Sequence, residues 1–245
     1  MRMQRARKDI QRGMSVIELL VGVAVGLIVL TGAIKLMSDT LASNRRLLLE
    51  TRVNQDLRAA ADLIVRDLRR AGYWNNAVSG MFSTTGSTAP APNPYRQIEL
   101  ASNMVRYSFA HDTDDSVDAT EWAGYRLHDG VLEFLVSRDA AGDTEQWQPL
   151  TDPKVLRVTT LTINPPSTPR VVELYTYCAC LTRLTCTAAD FQASGPYEST
   201  RPRMTIRQFD IVLAGEAVHD PAVRREIRQS VRVRNDRLDG NCPTV

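Results

Sequence analysis

Leu19 to Ile34 is a run of 16 residues without a charge, and apolar residues flank it from Met14 to Met37. At 1.5 Å per residue a helix over the run is about 24 Å long, and over all 24 positions about 36 Å, enough to cross a ~30 Å hydrocarbon layer. Further along, the pattern turns from continuous to periodic. Val53, Leu57, Ala60, Ile64, Leu68 and Ala71 recur every three or four residues, the spacing of one helix face. No Gly lies between Gly32 and Gly72 and no Pro before Pro90, so the pattern predicts one helix from about residue 15 to 71, about 85 Å long, with Gly72 as its C′ stop. Opposite charges four apart, Arg52/Asp56, Arg58/Asp62 and Asp62/Arg66, are expected to pair along its flanks. The first half of such a helix belongs in lipid; the second lays an apolar stripe on a globular domain.

Beyond the helix the chain reads as β. Residues 75 to 96 are rich in Asn, Ser, Thr, Gly and Pro, the composition of a surface loop. Met104 to Phe109 alternates loosely. Tyr125 to His128 and Val131 to Val136 flank Asp129-Gly130, a pair that supplies the positive φ angles of a type I′ hairpin turn. Further strands are expected over 154–163, 170–177, 203–213 and 227–234. In the third of these Phe209, Ile211 and Leu213 alternate; in the last Ile227, Val231 and Val233 alternate with Arg228, Arg232 and Arg234. The predicted fold class is α+β, an antiparallel sheet domain packed on the second half of the long helix.

Composition adds an asymmetry. The chain has 245 residues with 30 basic against 28 acidic side chains, a net +2, too little for a dedicated nucleic-acid binder. Residues 1 to 13 hold Arg2, Arg5, Arg7, Lys8 and Arg12 against Asp9, so the rest of the chain is slightly acidic. A basic leader before an apolar helix places the N-terminus in the cytoplasm and everything after residue 37 outside the inner membrane. A secretory signal with a small-residue site at Thr31-Gly32-Ala33, a plain signal anchor and a buried core helix all share this pattern. None of them accounts for Glu18, an acid inside the apolar segment. An ionised carboxylate there costs about 2.5–3.5 kcal/mol on insertion scales and calls for a partner.

The letters around Glu18 supply one. Arg12-Gly13-Met14-Ser15-Val16-Ile17-Glu18-Leu19-Leu20 resembles the prepilin signal shared by type IV pilins and type II secretion pseudopilins. The resemblance implies cleavage after Gly13 by prepilin peptidase, methylation of the new N-terminal residue Met14, and Glu18 as the acid at the fifth mature position. Met14 departs from the usual Phe, and no mid-anchor Pro is present. Gly13 leaves a protease unobstructed, and cleavage creates an ammonium that can pair with Glu18 of a neighbouring subunit and fix its axial register. Gly22 and Gly26 form a small-xxx-small pair suited to close helix packing. Within the superfamily, the hairpin Tyr125 to Ser137 and the closing segment Ser230 to Asn235 resemble the PilW-type minor pilins, which are close to the J-type pseudopilins.

Cys178, Cys180, Cys186 and Cys242 are four cysteines in the presumed periplasmic part, an even count in an oxidising compartment that favours two disulfides. A Cys178–Cys180 bridge is disfavoured by its one-residue loop, so Cys242 is expected to be tethered to one of the other three. Asp112, Asp114, Asp115 and Asp118 are weak Ca²⁺ candidates, since the segment lacks the Gly and distal Glu of an EF-hand. Nine arginines between Arg201 and Arg237, offset by five acids, raise DNA binding as a minor possibility. His111, His128 and His219 are the only histidines, and no nucleophile elbow, P-loop or zinc-protease motif occurs.

The expected organisation is a leader (1–13), a transmembrane half-helix (14–37), a periplasmic half-helix (38–71), a surface loop (72–96) and a β-rich domain (97–245). The expected role is structural, with no catalytic turnover, no cofactor and no small-molecule substrate. Its expected partners are prepilin peptidase, the inner membrane, other minor pilins and the major pilin. A type II secretion pseudopilin and a DNA-uptake receptor are the competing roles.

Overall fold

The structure, a computed structural model, describes residues 14–81, 91–139, 144–178, 185–191, 201–240 and 242. The leader with Gly13, much of the 75–96 loop, and Cys180 lie outside the described residues. The chain forms two compact units, one ending at Leu48 and one running from Leu49 onward. A single helix, α1 (Val16–Leu68), contributes to both.

In the first unit every described residue is exposed, and the apolar window of α1 has no protein covering it. By length and composition this stretch can cross a membrane. Thr31 Oγ1 donates to the Leu27 carbonyl at 2.7 Å, so its hydroxyl carries no unmet hydrogen bond into lipid.

In the second unit the predicted stripe is the core. Val53, Leu57, Ala61, Ile64 and Leu68 are fully buried, and Ala71 beyond the helix continues the line. They pack against the first two of three antiparallel sheets. The first is a meander of β1 (Ile98–Ala101), β2 (Met104–Ser108), β3 (Trp122–His128), β4 (Val131–Arg138) and β5 (Glu145–Pro149). The second has β6 (Leu156–Asn164), β9 (Gln208–Ala217) and β10 (Asp220–Arg232) in the order β10-β9-β6. The third places β8 (Arg203–Ile206) between β7 (Arg170–Glu173) and β11 (Arg237–Asp239). Leu132, Leu156, Ile211 and Leu213 meet the helix from the first two sheets. The third sheet has no buried residue in any of its strands.

The Asp129-Gly130 turn forms as its letters require. Both residues have positive φ (50° and 79°), and His128 faces Val131 in register. Gly72 adopts φ 73° three residues after α1 gives way to turns, close to the expected stop. The helix end is satisfied from far away. Arg234 N donates to the Arg69 carbonyl at 2.9 Å, and Asn235 Nδ2 to the Ala71 carbonyl at 3.2 Å.

Several expectations need correction. One sheet becomes three. The 170–177 strand stops at Glu173 and gives way to a 3₁₀ turn at Tyr175–Tyr177, while 203–213 divides at Arg207 into two strands. Strands β1, β5 and β11 were not legible at all. The three charge pairs along the helix do not form either. Arg58 Nε donates to Asn54 Oδ1 at 3.0 Å, Asp62 Oδ1 accepts from Gln229 Nε2 at 2.7 Å, and Arg52 and Asp56 have no ion pair among the described residues. A shorter amide one turn back and a strand 167 residues away capture the groups first.

Candidate processing and assembly site

The helix begins at Val16, so Ser15 is its N-cap. Ser15 Oγ accepts from Ile17 N at 3.4 Å, and the Ser15 carbonyl accepts from Leu19 N at 3.1 Å. Glu18 is then the third helical residue, and Ser15-Val16-Ile17-Glu18 has the spacing of a capping box. Its carboxylate lies in the first turn, where the positive end of the helix dipole favours a negative charge. The sequence signal for this, Ser followed three residues later by Glu before an apolar run, was available but overshadowed by the cleavage motif. Glu18 makes no ion pair with any described residue. Met14, two residues ahead of the helix, is exposed.

The cysteines are at the other end of the chain. Cys178 is bonded to Cys242, and Cys186 is also disulfide-bonded; no described cysteine is free. Cys178 follows β7 and Cys242 follows β11, so the bridge clips the two outer strands of the third sheet across β8. Beside it Cys186, Phe191 and Tyr175 form a small separate apolar cluster.

The acidic segment is built around a residue that sequence reasoning passed over. Glu121 is fully buried, and its Oε1 accepts from His111 N at 2.7 Å. Its Oε2 accepts from Asp118 N at 3.1 Å and from the Tyr95 hydroxyl at 2.9 Å. Asp112, Asp114 and Asp118 bond backbone N–H groups of their own loop, and Asp115 accepts from Trp74 and Asn76. The hydrogen bonds to Thr120 hold the Asp118 carboxyl below the usual range. Asp112, Asp114 and Asp118 act as turn acceptors while Asp115 ties the loop to Trp74 and Asn76, and no group of acids, His and Cys suited to a metal ion occurs among the described residues.

The C-terminal arginines are largely engaged. Arg228 pairs with Glu226 at 2.6 Å, Arg232 with Asp236 at 2.9 Å, Arg237 with Asp239 at 2.9 Å and Arg225 with Glu50 at 2.6 Å. Arg207 is structural. It donates Nε to the Asn235 carbonyl at 3.1 Å and Nη1 to the Arg96 carbonyl at 2.7 Å, and burial lowers its pKa to about 10. Of the histidines, His111 stacks edge-on against Phe109 at 4.6 Å, and His128 stands 3.9 Å from Glu133. His219 lies in the turn between β9 and β10.

A capped apolar helix with an acid in its first turn, continuing into a domain of antiparallel sheets, is the architecture of a type IV pilin-like protein. Residues 8–34 match the prokaryotic N-terminal methylation motif, and residues 46–233 match the family described as prepilin peptidase-dependent protein B. The second match covers most of the sequence, and the chain belongs to that family; the family matched is not the PilW type that the hairpin and closing segment resemble. Comparison with curated proteins and with solved structures gives no match.

Proposed function

We propose that the protein is a minor pilin. It is inserted with residues 1–13 in the cytoplasm, cut between Gly13 and Met14 by prepilin peptidase, methylated on Met14, and held in the inner membrane until assembly. It then joins other minor pilins to prime a type IV pilus and remains at the tip next to the major pilin. The role is structural and needs no cofactor or catalytic group. The observation that carries the reading is Glu18: an acid in the first turn of an exposed apolar helix, within the methylation motif, and without an ion-pair partner among the described residues.

The physical step is the transfer of this helix from lipid into a bundle of like helices. Lipid is as apolar as the bundle, so burial alone gives no preference. Packing at small residues such as Gly22 and Gly26, where a Cβ would meet nothing within 4 Å in the isolated chain, supplies part of it. Pairing of Glu18 with the methylated ammonium of an adjoining subunit supplies the rest and permits one stagger. A type II secretion pseudopilin of the J type uses the same physics, and the resemblance of the hairpin and closing segment extends to that class. The neighbouring genes separate the two. DNA reception finds less support, because the C-terminal arginines are mostly spent on ion pairs.

The test is Glu18→Ala. Membrane insertion and cleavage are expected to stay intact while incorporation into sheared filaments drops about tenfold, the effect of one polar pair worth ~1.4 kcal/mol in lipid. Unchanged incorporation would remove the register role.

A further inference from the structure

The outward face of α1 in the second unit, with the turn that follows it, carries a ridge of arginines. Val53, Leu57, Ile64 and Leu68 face the core, and on the opposite side Arg52, Arg58, Arg66 and Arg69 are exposed. At 100° per residue these four fall within a stripe about 120° wide, and from Arg52 to Arg69 the stripe is about 26 Å long. One exposed acid, Asp62, lies within the stripe; it accepts from Gln229 and Arg58 turns to Asn54, so no arginine of the ridge pairs with it and four cations face one carboxylate. Arg66 reaches only 3.6 Å from Asp67, which also accepts the Tyr125 hydroxyl at 2.6 Å and stands 3.5 Å from Arg70. Arg52 and Arg69 have no acidic partner among the described residues.

The same unit carries the opposite charge elsewhere. Asp112, Asp114 and Asp118 are exposed, accept only from their own loop, and make no ion pair among the described residues. The loop is held in shape. Buried Glu121 binds it from inside, Asn75 donates to the Asp112 carbonyl, and Trp74 and Asn76 hold Asp115. Trp74 to Asn76 come directly after the turns that end α1, so the acidic loop lies at the helix's C-terminal end and the arginine ridge runs back from it.

We propose that the Arg52–Arg58–Arg66–Arg69 ridge receives the Asp112–Asp118 loop of a second copy of this chain. The contact joins two different patches, so each copy keeps one free ridge and one free loop; such a heterologous interface does not close on itself unless the rotation happens to form a ring. Arginine forks suit carboxylates, and both surfaces are already fixed by their own unit, which limits the ordering cost. A phosphate polymer or an anionic lipid surface lying along the ridge would meet the acidic loop at its end and be repelled. The proposal rests on the pilin-like reading and adds a partner surface to it.

The experiment uses the full chain in detergent micelles, with association followed by sedimentation at low and high salt. Arg52→Glu with Arg58→Glu and Arg66→Glu reverses the ridge; Asp112→Lys with Asp114→Lys reverses the loop. Each set alone is expected to weaken low-salt association by about tenfold, the combined worth of a few exposed ion pairs. An equimolar mixture of the two sets restores it, because each reversed surface then meets its complement; recovery also shows that both variants are folded. The proposal is overturned if association is absent at low salt, if neither reversal changes it, or if the mixture stays dissociated. Ridge-dependent binding of duplex DNA or of phosphatidylglycerol vesicles without self-association overturns it as well. The N-terminal mass of the same preparations keeps the two readings apart: a processed Met14 terminus with no self-association removes the contact alone, while an unprocessed chain removes the pilin-like reading.

Discussion

Glu121 shows how one buried acid organises a loop. Two backbone N–H groups and the Tyr95 hydroxyl satisfy its carboxylate, and charge-assisted bonds of this kind are the stronger ones. Glu121→Ala leaves all three donors unpaired and is expected to cost about 3 kcal/mol in chemical denaturation. A loss under 1 kcal/mol would show that water replaces the carboxylate. The tyrosines give a pH test. Burial raises the Tyr95, Tyr107 and Tyr125 hydroxyls well above their ordinary value of about 10, with Glu121 adding to it at Tyr95 and Asp67 at Tyr125. A phenol whose pKa is raised by folding binds its proton more tightly in the native state. Its contribution is whole below pH 10 and is lost as pH rises past that value. Arg207, lowered to about 10, works in the opposite direction above that pH but is one group against three. Stability should therefore fall between pH 10 and 11, with these three tyrosines ionising together with unfolding; a flat stability profile over that range would contradict the assignment. None of this was visible in the sequence. Glu121 and Tyr95 are 26 residues apart, and a lone Glu beside four aspartates reads as one more solvated acid.

At the scale of elements, local periodicity was a sound guide wherever one face alone decides the structure. The helix stripe and the Asp129-Gly130 hairpin are set by neighbours within a few residues, and both appear with the expected faces and register. The third sheet had no such signal. Its strands are three or four residues long, none of their residues is buried, and β7 is separated from β8 by some thirty residues of chain. A sheet without a buried face is marginal alone, so the Cys178–Cys242 bridge, which spans 64 residues, takes on the role of a clip. The paired change Cys178→Ala with Cys242→Ala is expected to cost about 2–4 kcal/mol. Hydrogen exchange should accelerate in β7, β8 and β11 first, while Leu57 to Leu68 stays protected. Equal acceleration throughout would show that the sheet is not an independent weak point. The missing charge pairs on α1 teach the same lesson from the other side. Spacing of four makes Arg58 and Asp62 neighbours, yet Gln229 from β10 outcompetes the arginine.

At the scale of the whole molecule, two units share one helix. In the second, α1 loses its apolar stripe to a core of sheets. In the first, every described residue of the same helix is exposed, and the apolar run from Val16 to Met37 suits lipid or a bundle of like helices. Glu18 is costly in either place without a positive partner, and in the full precursor the Met14 nitrogen is an uncharged amide. In the proposed function, processing is the decisive step, because cleavage after Gly13 would create an ammonium able to meet Glu18. The measurement is the N-terminal mass of the protein purified from cells with and without prepilin peptidase. The account predicts a chain beginning at methylated Met14 when the enzyme is present and the intact leader when it is absent. Retention of residues 1–13 in both cases, or a cut at Thr31-Gly32-Ala33, would contradict it.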